Sequence, residues 1–252
     1  MRVSNNMKTT AIIGGSGLSE LAGLNVLETQ SIDTPYGKPS ADLIVGELAG
    51  QRLIFLARHG NPHQIAPHNI NYRANIWALK SLGAEQIIAV AAVGGITPEM
   101  TPARLVIPEQ IIDYSYGREQ TYFAEASAAV EHIDFSFPYD EALRLALIKC
   151  GANLNVYSSG TYGCTQGPRL ETAAEITRLE RDGCDLVGMT GMPEAALARE
   201  LKIPYACCAV IANWAAGKTQ AEISMAEIMH NLEQGMSDVQ RLLQCFFILN
   251  KA

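Results

Sequence analysis

Asp185-Leu-Val187 is a short apolar run that passes straight into the turn Gly188-Met-Thr-Gly191, after which Pro193 and Glu194 open a helical stretch ending near Leu201. Proline fits the first helical position, and an acidic residue suits a helix N-terminus. The order predicts a strand-to-helix junction with a small, polar crest. Such a junction belongs in an open α/β sheet, where ligands sit beyond the strand ends. Thr190 offers a hydroxyl there, and the backbone N–H groups of the turn favour an anion. An ordinary βα connection has the same pattern, so the weight falls on what the other strand ends carry.

They carry similar chemistry. Thr9–Ile13 predicts a strand followed at once by Gly14-Gly-Ser-Gly17, where Ser16 adds a hydroxyl donor. This turn is not GxGxxG and no Walker lysine follows, so a plain tight turn is the alternative. Leu43–Leu48 and Arg52–Ala57 predict a hairpin around Ala49-Gly50 that delivers Arg58-His-Gly60. Arg58 and His59 at a strand end read as an oxyanion clamp, because arginine binds phosphate bidentately. His63 and His68 follow, but the spacing is not HExxH and no carboxylate accompanies it, so no metal site is expected. Arg-His-Gly is also similar to the histidine phosphatases, in which the histidine is the nucleophile.

A helix is expected over 71–82, with Ile70, Ala74, Trp77 and Ala78 on one face and Gly83 at its end. Gln86–Val93 reads as a buried strand, with the backbone N–H groups of Ala91 and Ala92 facing a ligand. The irregular stretch from Val106 to His132 contains Tyr116 and Arg118 and reads as a functional or interfacial loop. Further along, 138–150 predicts a helix and 155–161 a strand. Glu171 heads a helix to about Arg181. Tyr205–Ala212 is a last buried strand, ending at Asn213-Trp-Ala215. Ser224 and Glu227 have capping-box spacing. The closing helix then presents Met225, Ile228, Met229, Leu232, Val239 and Leu243 on one apolar face, expected to be mostly core.

Polar residues thus recur at strand C-termini, at Ser16, Arg58, His59, Thr190 and Asn213, which predicts a single cleft across the sheet edge. The expected fold is α/β: one domain with a central mixed, twisted β-sheet flanked by helices. A chain of 252 residues, 48% of them hydrophobic, is long enough for one such unit. The net charge of −7 argues against a nucleic-acid partner. No apolar run of about 18 residues is present, so no membrane partner is expected. Residues 1–7 are polar and read as a flexible lead-in to a domain over 8–252. Six cysteines without a CxxC pair are expected to be free thiols in a reducing, cytoplasmic setting.

Taken together, Gly14-Gly-Ser-Gly17, Arg58-His-Gly60, Asn71-Tyr-Arg-Ala-Asn-Ile-Trp-Ala-Leu79, Gly167-Pro-Arg169 and Gly188-Met-Thr190 with Pro193-Glu194 resemble the trimeric purine nucleoside phosphorylases, most closely their methylthioadenosine phosphorylase branch. The resemblance covers nearly the whole chain after Met7. It implies a pentosyltransferase that uses inorganic phosphate as co-substrate and no cofactor, assembled as a homotrimer. It assigns phosphate binding to Ser16, Arg58, His59, Thr190 and the backbone of Ala91 and Ala92. Ala91 stands where the family usually has threonine. Met189 matches the residue beneath the ribose, and His132 one lent to a neighbouring subunit.

The base can be argued from hydrogen-bond chemistry. The methylthioadenosine branch places two aspartates where this chain has Asn213 and Ala215. Asparagine can donate to O6 of a 6-oxopurine, where an ionised aspartate would repel it. Glu171 matches the glutamate that receives N1–H in the inosine-cleaving branch. Leu170 stands where the family usually stacks a phenylalanine on the base. At the sugar, Met225 replaces a histidine that bonds the 5′-hydroxyl, and Ile228 lies one turn on, so a methylthio group suits that pocket. The expected substrate is S-methyl-5′-thioinosine, with Asn213 and His59 as catalytic residues. A general inosine/guanosine phosphorylase, a methylthioadenosine phosphorylase, a histidine phosphatase and a non-catalytic dinucleotide module are the alternatives.

Overall fold

The computed structural model describes residues 8–18, 20–124 and 131–249. The lead-in expected over 1–7 lies outside the described residues.

The architecture is built on two long strands, β5 (Gln86–Gly95) and β11 (Tyr205–Trp214), which pair in parallel along almost their whole length. Side chains alternate across a strand. On β11, Cys207, Ala209 and Ile211 therefore enter one core layer, and Ala206, Cys208 and Val210 enter the other. Both faces are covered by helices, which is why these strands are apolar throughout. On one side lie α1 (Tyr72–Ser81) and α4 (Gly191–Glu200), contributing Ile76, Leu79 and Leu197. On the other lie α2 (Glu141–Cys150) and α5 (Met225–Leu249), contributing Leu147, Leu243 and Phe247. A smaller cluster holds α3 (Ala173–Arg181) through Ile176 and Leu179. This is the α/β class expected, a mixed central sheet flanked by helices.

The free edge of β5 is shared by two strands. β1 (Thr10–Gly14) pairs with it in parallel from Gln86 to Ala89. β10 (Leu186–Gly188) pairs antiparallel with Gly94 and Gly95. Between them, among the described residues, no strand pairs with Val90–Val93 on that edge. The sheet opens there, and this opening positions the site.

β3 (Leu43–Leu48) and β4 (Gln51–Ala57) form the expected hairpin, with Ala49 and Gly50 both at positive φ, 53° and 77°. Two backbone positive-φ residues match the right-handed strand twist in a two-residue turn. β4 pairs with β1, so Arg58 emerges beside Gly14. Asn71 caps α1 by accepting from the Ala74 N–H at 3.1 Å. Thr172 and Glu175 form a reciprocal capping box on α3.

Two expectations are corrected, and one strand was not foreseen. The strand expected over 155–161 is two short strands, β8 (Val156–Tyr157) and β9 (Thr161–Cys164). Gly160, at φ +131°, breaks the run between them. The stretch after Val106 is not wholly irregular: it contains β7 (Gln110–Asp113), and β6 (Leu105–Val106) immediately precedes it. A further edge strand, β2 (Asn25–Gln30), carries exposed Val26 and Leu27 and has no apolar alternation to reveal it.

Candidate active site

The opening in the sheet is the wall of a cavity of about 480 Å³. That is a size suited to a small organic ligand. Ser16, Arg58, His59, Ala91, Ala92, Leu170, Glu171, Met189, Thr190, Asn213, Ala215, Met225 and Ile228 all line it. Residues named from seven separate segments thus meet in one place. His132 does not line it: it is exposed elsewhere on the described chain.

The glycine turn after β1 exists because the chain passes close to the opened strand. A Cβ at Gly15 would lie 2.5 Å from the Val90 carbonyl and 3.0 Å from Arg58 Nη1. At the crest, a Cβ on Gly188 would lie 2.1 Å from the Tyr162 hydroxyl. Thr190 precedes α4 as its N-cap but makes no side-chain capping hydrogen bond. Met192 has non-helical angles, so regular helix begins at Pro193, as the sequence predicts.

Arg58 is buried, at 1% exposure, and most of its fork is engaged within the fold. Its fork does not face outward. Nε and Nη2 donate to the two oxygens of Glu194 at 2.7 and 2.8 Å, and Nη1 donates to the Val90 carbonyl at 2.8 Å. A guanidinium has five N–H donors, so one on Nη1 and one on Nη2 remain for a ligand. Burial works against its charge, but Glu194 outweighs burial and raises its pKa. Glu194 is wholly buried and also accepts from the Tyr205 hydroxyl at 2.8 Å. In the sequence Glu194 has only the signature of a helix N-terminus. Its partner is 136 positions away, and no local signal pairs them.

His59 is pushed down to about 4 by burial first and by the Arg58 charge second. It is therefore neutral near pH 7. Its Nδ1 lies 2.8 Å from the Ile65 carbonyl, which fixes the tautomer with hydrogen on Nδ1. Nε2 is left as an acceptor, a partner for a protonated oxygen rather than for a bare oxyanion. His63 stacks on His59 with ring centroids 4.3 Å apart and also lines the cavity. Among the described residues, no group of three His, Cys, Asp or Glu side chains is placed to hold a metal.

Asn213 is aimed by an irregularity. The β11 register shifts between Ile211 and Asn213, a bulge of the kind that redirects side chains beside sites. Asn231 on α5 donates to the Ala212 carbonyl at 2.9 Å and holds the bulge. Asn213 Nδ2 donates to the Trp214 carbonyl at 2.7 Å, so its second N–H and its Oδ1 remain available. Glu171 accepts from the Thr165 hydroxyl at 2.6 Å. Arg118 ties the turns after β9 and β10 together, donating to the carbonyls of Gln166 at 2.9 Å and Met189 at 2.8 Å. An arginine in an aromatic loop was its only sequence signal.

The apolar face of α5 divides between cavity and core. Its buried face runs from Leu232 to Phe247. Met225 and Met229 are exposed, at 67% and 58%, and line the cavity with Ile223 and Ile228. Ile228 both lines it and packs against the core.

Fold and site define an α/β enzyme of small molecules, with its cavity at the strand ends. The sequence profile of the phosphorylase superfamily matches residues 9–247, and the chain belongs to that superfamily, a class of pentosyltransferases. Within it, the chain is 56% identical over 239 residues to a probable S-methyl-5′-thioinosine phosphorylase of Pseudomonas syringae pv. tomato, covering 94% of this chain and 97% of that protein. It is 43% identical over 244 residues to a 6-oxopurine nucleoside phosphorylase of Pyrococcus furiosus, covering 94% and 91%. The structure of a methylthioadenosine phosphorylase from Schistosoma mansoni in complex with adenine superposes with a TM-score of 0.91 at 29% identity, covering 96% and 91%.

Proposed function

We propose that this chain cleaves S-methyl-5′-thioinosine with inorganic phosphate, releasing hypoxanthine and 5-methylthio-ribose 1-phosphate, without a further cofactor. The observation that carries the reading is the pairing of two chemistries in one cavity: Glu171 and Asn213 among its polar groups, and Met225, Ile228 and Ile223 on the α5 wall. The relatives' names support the same substrate class.

In this reading, phosphate occupies the sheet opening. Arg58 gives it two N–H donors, Ser16 and Thr190 their hydroxyls, and Ala91 and Ala92 their backbone N–H groups. His59 Nε2 accepts the hydrogen that phosphate carries near neutral pH. A phosphate oxygen forms a bond to C1′ while the C1′–N9 bond breaks and its electron pair passes to the purine. Asn213 stabilises the charge that develops on the base, its free N–H directed toward O6 and its Oδ1 accepting the N7–H that forms as N7 takes a proton from solvent water. Glu171 receives N1–H. Leu170 and Ala215 flank the base, and Met189 packs under the ribose, where a thioether is well suited. Catalysis is then positioning and charge stabilisation.

The protein acts as a cytoplasmic homotrimer in this proposal, with His132 of each subunit serving a neighbour's 5′ pocket. The test is a phosphate-dependent assay of methylthioinosine, methylthioadenosine and inosine side by side. The expected result is preferential cleavage of methylthioinosine. Equal cleavage of inosine would favour a general 6-oxopurine phosphorylase. Preference for methylthioadenosine would overturn the roles given to Glu171 and Asn213.

A further inference from the structure

We infer that Thr165 is a positioning residue for base selection, its hydroxyl holding the Glu171 carboxylate where it can receive N1–H of a 6-oxopurine. The inference rests on the phosphorolysis reading above.

Thr165 Oγ1 lies 2.6 Å from Glu171 Oε1 and 3.3 Å from the Gly188 carbonyl. The shorter distance is that of a charge-assisted O–H···O bond to a carboxylate, so the single hydroxyl hydrogen belongs to Glu171. Among the described residues, Thr165 is the sole hydrogen-bond donor to that carboxylate. Glu171 stands just ahead of the α3 cap, half-exposed on the cavity wall. Without a partner its long side chain would lose rotamer freedom on meeting a ligand.

Thr165 itself is fixed by backbone. Its N–H donates to the Gly188 carbonyl at 2.8 Å, and its carbonyl accepts from Arg118 Nη2 at 3.1 Å. The hydroxyl is thus presented from a strand end locked to the crest turn. With Oε1 held by Thr165, Oε2, which accepts no hydrogen bond among the described residues, is presented to the base. A 6-oxopurine offers N1–H to it. A 6-aminopurine offers a bare N1, and two acceptors would face each other. If the hydroxyl is lost, the carboxylate can rotate away, and the discrimination narrows.

The test compares Thr165→Val, which keeps the shape, with Thr165→Ser, which keeps the hydroxyl. For each, kcat and KM are measured on methylthioinosine and methylthioadenosine, and KM for phosphate is measured alongside. Thr165→Val is expected to lower the ratio of kcat/KM values about 10-fold, the scale of a lost hydrogen bond to a charged group, chiefly through KM for methylthioinosine. KM for phosphate is expected to stay at the wild-type value. Thr165→Ser is expected to retain the wild-type ratio. An unchanged ratio in Thr165→Val, or an equal fall in Thr165→Ser, would overturn the role of Thr165 while leaving the functional reading intact. A wild-type protein that cleaves neither nucleoside overturns that reading, and this inference with it.

Discussion

Arg58 and Met225 line the same cavity, but the chain treats them oppositely. Arg58 is 1% exposed and spends three hydrogen bonds on the protein's own groups. Met225 is 67% exposed, on the first turn of α5, ahead of that helix's buried face. The first wall is rigid because a buried charge must be paired within the fold. The second is an apolar surface that this chain leaves open, as a shared pocket in the proposed trimer would require. The contrast teaches that burial, not proximity to the ligand, decides how far a lining residue is bound into the fold.

The sharpest way to break the contrast is to remove one member of the buried pair. Glu194→Ala leaves Arg58 charged and unpartnered, and should destabilise the protein by about 3–5 kcal/mol in denaturant unfolding. Phosphorolysis should fall about 10³-fold, in line with loss of oriented electrostatic stabilisation. A stability change under about 1 kcal/mol would show that the wall is less bound than its geometry implies.

A second substitution moves base choice without touching that wall. Exchanging Asn213 and Ala215 together for Asp should shift the ratio of kcat/KM values toward methylthioadenosine by up to about 10⁴-fold. An unchanged ratio would remove Asn213 from base reading.

His59 gives the contrast a pH dependence. Its pKa lies at about 4 in the folded protein, below the ordinary value of 6.5, so the unfolded chain binds more protons between those values. Its contribution to stability is therefore full above pH 6.5 and is lost as pH falls through 6.5 toward 4. The full loss is on the order of 3 kcal/mol. His59→Gln should flatten that part of the stability curve, measured by unfolding at a series of pH values. A curve as steep as wild type would assign the dependence to other groups.

The smallest effects belong to the open wall. Met225→His should change stability by less than about 0.5 kcal/mol, because the position is exposed. It should raise kcat/KM for inosine relative to methylthioinosine by about 10-fold, the scale of one polar or apolar contact. A large stability loss would mean that the turn is packed after all.

Much of the fold was legible because it rests on short-range pattern. The β3–β4 hairpin, the helix over 72–81 and the start of regular helix at Pro193 each follow from residues a few positions apart. β2 was not legible, since its exposed residues carry no alternation. In the sequence Met229 reads only as part of an apolar helix face expected to be mostly core, because helical spacing is the same on a core face and on a cavity wall. The lining residues were found through their place at strand ends and through the family resemblance. Their partners, Glu194 for Arg58 and Thr165 for Glu171, were not.

By itself the sequence determined the element types, the two-sided burial of β5 and β11, and the polar residues carried to the strand ends. Those follow from periodicity and turn chemistry, which act over a few residues. Only the tertiary structure decided which of Arg58's donors face the cavity, which tautomer His59 holds and which oxygen of Glu171 is free. Each depends on a partner chosen by chain closure, because a buried hydrogen bond is set by where distant segments meet.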